Sequence, residues 1–386
     1  MTSIAPNSGP STPAETPSRP PESRANPADA GKSAAPNKNT GGFIVSRTYD
    51  YIFFIFSPLI AMAIGFVAFS DPAFNPQVTF ESLNPRFKQQ FLLFFIAVFT
   101  HAHLVIVFFR SHGNAKIFAL HPIRFRVVPV ALLFGMLTWH RLFIAVSVLV
   151  VWWDVYHSAL QTFGLARIYD MRHGNKPTAG RRADYLLNLL IYIGPIFAGV
   201  NLVLHEHARH FSAFQRVGSD SLASLGQILT TRQDELRLAV FATAAVILIL
   251  YVREFARLIR FEGYRIPTPK ALLLLSTAIC SVTAWGLLSI GEAFFMMNFF
   301  HALQYFAIVW WSEKKTIVSL FGLSRLQLPL RNVLALLLLV LPAVAYGVWS
   351  TVKPGVAIGV VAFSHVVSIM HFWYDGFIWS VRKKQV

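Results

Sequence analysis

Long apolar segments alternate with short polar connections along most of this chain. A helix needs about 20 apolar residues to cross the hydrocarbon of a bilayer, so each segment predicts one span. We predict about 10 spans, with a range of about 8 to 10 because the third is short. The segments are 51–70, 90–109, 127–139, 142–165, 185–204, 236–252, 271–290, 292–311, 333–350 and 356–380. The fold class predicted is all-α, a polytopic transmembrane helical bundle.

Basic residues are concentrated in the connections that follow the even-numbered spans. They occur within 110–126, 167–182, 253–270, 314–331 and 382–384. Because Lys and Arg accumulate in short cytoplasmic loops, this distribution predicts that both termini are cytoplasmic. We therefore expect a multi-pass protein of a bacterial-type inner (plasma) membrane.

The N-terminal segment differs in composition from the rest of the chain. It is rich in Pro, Ala, Ser, Asn and Gly and has no apolar run. This predicts a disordered cytoplasmic tail over 1–48, followed by a transmembrane helical domain over 49–386. The absence of an apolar run also argues against a secretory signal there.

The overall composition supports a membrane protein and excludes several other classes. The chain is 55% hydrophobic and 13% charged, with a mean hydropathy of +0.52. Its net charge of +16 is divided among loop clusters rather than spread along one polar face, which argues against a nucleic-acid partner. The single cysteine, Cys280, excludes an intramolecular disulfide and a thiolate zinc cluster.

Polar residues inside the predicted spans are the main indication of function, because ionisable groups are costly in a bilayer and usually mark a site. They are concentrated in the second, fourth, eighth and tenth spans, which all run in the same direction. At about 1.5 Å per residue, their histidines lie between the middle of the bilayer and its cytoplasmic half. The polar residues are His101, His103, Asp154, His157, Gln161, Asn298, His301, Gln304, Tyr305, His365, His371 and Asp375.

Helical spacing gives each of these spans a histidine and a nearby polar partner. Residues three or four apart share a helix face, which groups Asp154 with His157 and His371 with Asp375. By the same spacing His301 shares a face with Gln304 and Tyr305. His101 and His103 are two residues apart and point to different sides, so only one of them is expected to be a ligand.

Imidazoles at a common depth, without thiolates, favour non-haem Fe(II) or zinc. The predicted metal ligands are His101, His103, His157, His301 and His371, and the predicted catalytic residues are Asp154, Asp375 and Tyr305. Interhelical hydrogen bonds or a proton relay are the alternative roles for such histidines. The tract at 205–210 contains three histidines but lacks the His-Glu-x-x-His spacing, and it is interpreted as a solvated segment.

Four short patches surround these histidines: Phe99-Thr-His101-Ala-His103-Leu, Tyr156-His157-Ser-Ala-Leu-Gln161, Phe299-Phe300-His301-Ala-Leu-Gln-Tyr305-Phe and Ile369-Met370-His371-Phe. In order and surroundings they resemble the histidine patches of the membrane-embedded bacterial carotenoid-cleaving dioxygenases of the Brp/Blh type. The resemblance implies a polytopic fold, non-haem Fe(II), O2 and a polyene substrate that is cleaved to retinal. It implies ligand roles for His101 or His103, His157, His301 and His371. This chain is longer than the members of that family and has Tyr305 where a second histidine would strengthen the third patch.

Three functions remain open from the sequence. The leading hypothesis is an Fe(II)-dependent oxygenase that uses O2 on an apolar, lipid-like or polyene substrate entering from the membrane. A b-type haem electron carrier is the second, because histidines on facing helices can ligate haem axially. A proton-coupled transporter is the third. The His-x-x-His-His boxes of acyl-lipid desaturases are absent from the sequence, and the oligomeric state is left open.

Overall fold

The structure, a computed structural model, describes residues 41–69, 87–200, 228–229, 231–288, 290–352 and 358–379. These residues form helices and turns with no strand among them, which confirms the all-α prediction for this part of the chain. The helices are α1 (Arg47–Asp50), α2 (Ser57–Phe69), α3 (Phe87–Ser111), α4 (Ala115–Leu120), α5 (Pro122–Thr138), α6 (His140–Arg172), α7 (Arg181–Ala198), α8 (Gln233–Glu262), α9 (Thr268–Leu287), α10 (Ile290–Leu320), α11 (Leu328–Val352) and α12 (Ile358–Ile378).

Fewer helices than the sequence predicts are both long enough and apolar enough to span a membrane. Within the described ranges, five helices are long and apolar enough to cross a bilayer, namely α6, α8, α9, α10 and α11. A bent pair, Arg47–Ile55 with α2, makes a sixth if it is one span. The prediction of about ten spans is not confirmed: α5 has only 17 residues, and α7 begins with the charged residues Arg181, Arg182 and Asp184.

Helix α8 has the surface of a lipid-facing helix. Large apolar side chains point away from the protein, with Leu238 71%, Ile249 66% and Val252 66% exposed. Water would make such a continuous apolar surface unfavourable, whereas hydrocarbon does not. The exposed face of α8 therefore supports the membrane class independently of hydropathy.

A 53° bend interrupts the first predicted span between a π-helical turn, Tyr51–Ile55, and α2. Pro58 has no backbone N–H, so the carbonyl of Phe54 lacks its usual helical donor. Gln304 of α10 replaces that donor, with Nε2 2.9 Å from the Phe54 oxygen. Ser276 Oγ of α9 donates to the neighbouring Ile55 carbonyl. The bend is thus fixed by side chains from two other helices, one of which also carries His301.

The chain is packed before the predicted start of the helical domain. Residues 41–48 were expected to belong to the disordered tail, but Ile44 is buried. The Asp50 carboxylate accepts hydrogen bonds from the backbone N–H groups of Ile44 at 2.6 Å and Val45 at 3.0 Å. Tyr169 of α6 donates to the same carboxylate at 3.0 Å. The rest of the predicted tail lies outside the described residues.

Four buried charged residues form an ionic cluster that joins α6, α7 and α9: Arg167, Asp170, Asp184 and Lys270. Lys270 Nζ lies 2.9 Å from Asp170 Oδ2 and 2.7 Å from Asp184 Oδ2. The sequence prediction that Arg167 and Lys270 belong to basic loops is wrong. Both lie in helices, are only 5% and 2% exposed, and are neutralised by carboxylates.

Candidate functional site

Four helices each contribute one buried histidine to a common point in the core. His103 of α3, His157 of α6, His301 of α10 and His371 of α12 are all buried, and we refer to them as the histidine cluster. The ring centroid of His103 lies 5.1 Å from that of His301 and 4.9 Å from that of His371. The ring of His157 lies 4.9 Å and 4.8 Å from the same two rings.

Most of the ring nitrogens in the cluster have no hydrogen-bond partner among the described residues. They are Nε2 of His103, Nε2 of His157, Nε2 of His371 and both nitrogens of His301. A buried polar group left without a partner costs about 1–3 kcal/mol, so a concentration of such atoms is unusual in a folded core. The arrangement places several unpartnered ring nitrogens close to one another.

The tautomer of His103 is fixed by its own helix. Its Nδ1 hydrogen-bonds the backbone carbonyl of Thr100. A carbonyl only accepts, so Nδ1 carries the proton and Nε2 carries the lone pair. This hydrogen bond resembles the outer contacts that orient metal-ligating histidines.

The spacing of the cluster fits a single ion held by imidazoles. One donor atom each from His103, His301 and His371 lie within 4.8 Å of one another. Two imidazoles at 90–109° about one ion place their ring centroids about 4.5–5.2 Å apart, given metal–nitrogen distances of about 2.0–2.1 Å. The four neighbouring pairs, at 4.8 to 5.1 Å, lie in that range. The rings of His301 and His371, at 6.4 Å, are farther apart and would lie on opposite sides of the ion. Nitrogen donors without a thiolate suit iron or zinc.

Asp375 lies beside the cluster with its two carboxylate oxygens in different environments. Its Oδ1 accepts hydrogen bonds from Tyr305 OH at 2.7 Å and from Trp379 Nε1 at 2.9 Å. Its Oδ2 lies 3.7 Å from His157 Nε2 and 3.9 Å from His371 Nε2, beyond hydrogen-bond distance. His157, His371 and Asp375 also form a second set whose donor atoms lie within 4.8 Å of one another.

Two further buried residues, Arg110 and Glu313, lie beside the site although the sequence analysis did not assign them to it. The Arg110 guanidinium lies 3.8 Å from the centroid of the Trp379 ring. It donates to Glu313 Oε1 at 2.6 Å and to the carbonyl of Ile378 at 3.0 Å. The sequence predicts Arg110 to be a basic loop residue, but it lies in the last turn of α3 and is buried, which corrects that prediction. The sequence does contain a signal for this pair: the basic Arg110 follows the predicted span 90–109, and the acidic Glu313 follows the predicted span 292–311.

The remaining predicted residues lie outside both donor sets. His101 is half-buried, and its Nδ1 is 2.7 Å from the Ala97 carbonyl of its own helix, so the structure places His103 rather than His101 in the cluster. Asp154 is half-buried and also outside both sets. Tyr305 bonds Asp375 on α12 and lies with its ring 4.5 Å from that of His371. The histidine tract at 205–210 falls outside the described residues.

No family model, curated protein or solved structure matches this chain. The resemblance to the Brp/Blh-type dioxygenases therefore stays a prediction.

The immediate surroundings of the cluster are aromatic. The Phe372 ring lies 4.8 Å from that of His157, and the Tyr305 ring lies 4.5 Å from that of His371.

Proposed function

We propose that this chain is a metal-dependent oxygenase of a bacterial-type inner membrane. In this proposal it has about ten spans, both termini in the cytoplasm and one Fe(II) held by His103, His157, His301 and His371. The observation that carries the proposal is the set of buried ring nitrogens without hydrogen-bond partners in the described chain. Fe(II) coordinated by nitrogen ligands with an open position supplies the redox chemistry that oxygenases use with O2.

The chain's own residues prepare the cluster for a cation in two ways. The Thr100 carbonyl holds the proton of His103 on Nδ1, which leaves Nε2 as a donor. Burial keeps water away, so a bound ion would lose little of its interaction with the imidazoles to competing solvent. The apolar surroundings favour a substrate that partitions into lipid. We propose an apolar, lipid-like or polyene substrate.

The contact geometry favours a single ion over haem. Axial ligation needs a porphyrin plane between two imidazoles on opposite faces. Here the rings contact one another edge to face, with interplanar angles of 84° for His103 and His301 and 81° for His157 and His301. A macrocycle does not fit between rings packed in this way. A proton relay is less favoured because the unpartnered nitrogens make no hydrogen bond through which a proton could pass.

The experiment combines metal analysis with O2 uptake in detergent-purified protein loaded anaerobically with Fe(II). His157→Leu, His301→Leu and His371→Leu are compared one at a time with the wild type. The matched control is His101→Leu, which removes an imidazole two residues from His103 but outside both donor sets. We expect iron content to fall more than about tenfold in the three variants, because each removes a ligand from a small set, and to be unchanged in the control.

Oxygen uptake tests the reaction class separately. Wild-type protein with iron should consume O2 when β-carotene in detergent is added, and His301→Leu should not. Iron content unaffected by all three substitutions would overturn the metal site. A Soret band in the reduced protein would replace the proposal with haem. Iron bound without uptake of O2 in the presence of β-carotene or membrane lipid extract would contradict the oxygenase.

A further inference from the structure

Asp375 differs from a carboxylate that only orients a histidine. An orienting carboxylate accepts a hydrogen bond from the ring nitrogen that faces away from the metal. Asp375 Oδ2 makes no such bond, since it lies 3.7 and 3.9 Å from the Nε2 atoms of His157 and His371. Those are the nitrogens that have no hydrogen-bond partner in the described part of the chain. The oxygen and the two nitrogens therefore border the same space.

The other carboxylate oxygen is fully used by the protein. Tyr305 OH and Trp379 Nε1 both donate to Oδ1, at 2.7 and 2.9 Å. The Trp379 ring is in turn covered by the Arg110 guanidinium, which Glu313 holds at 2.6 Å. This frame fixes the rotation of the carboxylate so that Oδ2 faces the imidazoles. Holding one oxygen and presenting the other is how proteins orient a monodentate carboxylate ligand.

The charge of Asp375 also points to a cation in that space. Among the described residues its ion-pair contacts are with two histidines, and the nearby Arg110 shares its charge with Glu313. Its side chain is 11% exposed, and an uncompensated carboxylate at that burial is unfavourable. A divalent ion between Oδ2 and the two Nε2 atoms would compensate the carboxylate and satisfy both nitrogens.

We propose that Asp375 is an oxygen ligand of the metal, through Oδ2, facing His157 and His371. The centre is then a mixed nitrogen and oxygen site rather than an all-imidazole one. Non-haem Fe(II) centres use carboxylate oxygens beside imidazole nitrogens, and a carboxylate favours Mn(II) and Fe(II) over softer ions. This inference rests on the proposed metal site and adds a ligand to it.

The test measures Mn(II) affinity and the visible spectrum of the Co(II) form in full-length protein in detergent. Loss of an outer hydrogen-bonding partner weakens metal affinity about 10- to 100-fold. We expect Asp375→Asn to weaken Mn(II) binding by more than about 100-fold, because a charged ligand is lost, and to change the Co(II) spectrum. Trp379→Phe, which keeps the carboxylate but removes one donor to Oδ1, should weaken Mn(II) binding only about tenfold.

Glu254→Gln is the matched control, since it neutralises a carboxylate on α8 that pairs with Arg257 and lies outside both donor sets. It should leave Mn(II) affinity and the Co(II) spectrum unchanged. Should Asp375→Asn not fold, Tyr305→Phe removes the second donor to Oδ1 of the same carboxylate. A changed Co(II) spectrum in that variant supports the inference, and an unchanged one overturns it.

The possible failures are distinguishable. Wild-type protein that binds metal, together with an Asp375→Asn variant of equal affinity and spectrum, would overturn only the carboxylate ligand. The histidine site would stand. Wild-type protein that binds neither Mn(II), Co(II) nor Fe(II) would overturn the proposed function and this inference together.

Discussion

The ionic cluster and the histidine cluster are both polar and both buried, yet only the ionic cluster has its acceptor atoms paired within the described chain. Each carboxylate oxygen of Asp170 and Asp184 accepts at least one hydrogen bond, from Arg167, Lys270, Asn175, Tyr251 or Tyr264. In the histidine cluster, by contrast, nitrogens of all four rings lack a hydrogen-bond partner in the same ranges. The first arrangement is suited to joining helices. The second is suited to binding something that the chain does not supply.

Breaking the ionic cluster should give the largest loss of stability. Lys270→Met leaves two buried carboxylates facing a single guanidinium, and removing one partner of a buried ionic network costs about 3–5 kcal/mol. Thermal unfolding in detergent measures the effect. Lys315→Met, an exposed lysine on α10, is the matched control and should leave the melting temperature nearly unchanged. Equal effects of the two substitutions would mean that the ionic cluster does not stabilise the helix contacts.

Removal of the metal from the histidine cluster should give the next largest loss of stability. Binding to the folded state alone stabilises a protein by about 2.7 kcal/mol when free metal is 100 times the Kd. Chelation should therefore lower the melting temperature of metal-loaded wild-type protein. The His101→Leu variant should respond to the chelator as the wild type does. An identical melting temperature before and after chelation would contradict a site built to hold an ion.

In metal-free protein, substitution of a histidine in the cluster should not lower stability and is expected to raise it. Neither nitrogen of His301 has a hydrogen-bond partner in the described chain, so His301→Leu removes two unsatisfied polar atoms. We expect the metal-free variant to be as stable as the wild type or more stable by about 1–3 kcal/mol. It should also lose the stabilisation by metal. Unfolding curves of both proteins in chelator provide the comparison, and a strong destabilisation would mean that His301 has a structural role.

A smaller loss of stability is expected from substituting a polar residue beside the histidines whose hydrogen bonds are already formed within the protein. Gln304 accepts from Gln161 Nε2 at 2.9 Å and donates to the Phe54 carbonyl at 2.9 Å. Gln304→Leu leaves both groups without this partner, which should cost about 1–3 kcal/mol whether or not metal is present. Thermal unfolding with and without chelator checks this independence. A loss that appears only with metal would instead connect Gln304 to the site.

The sequence predicts which histidines share a level along their helices better than it predicts which side chains they contact. Depth follows from counting residues along a helix, which is why His157, His301 and His371 were identified from position alone. Counting residues does not determine how a helix is rotated about its axis. His101 and His103 were therefore alternatives in the sequence analysis, and the packing of the helices places His103 inward. The i,i+4 spacing identified His371 with Asp375. The bond between Tyr305 and Asp375 joins two helices, and a single sequence does not contain that pairing.

The basic residues illustrate a second limit of the sequence. Sequence analysis assigns an arginine at the end of a span to a basic loop, because positive residues accumulate at the cytoplasmic ends of spans. Arg110, Arg167 and Lys270 are instead turned inward onto carboxylates from other helices. Hydropathy does not separate the two cases, since it does not show which carboxylate of another helix each basic side chain meets. The span count has a related weakness, because α5 and α7 are apolar segments of only 17 and 18 residues.

The most direct test of the central claim is X-ray absorption spectroscopy at the iron edge of protein loaded with Fe(II) in the absence of oxygen. Four imidazoles and one carboxylate predict about five nitrogen and oxygen neighbours near 2.0–2.2 Å, with the multiple-scattering signature of imidazole rings. About one iron per chain should accompany that spectrum. A metal shell without imidazole scattering, or a folded protein that retains no iron, would contradict the account.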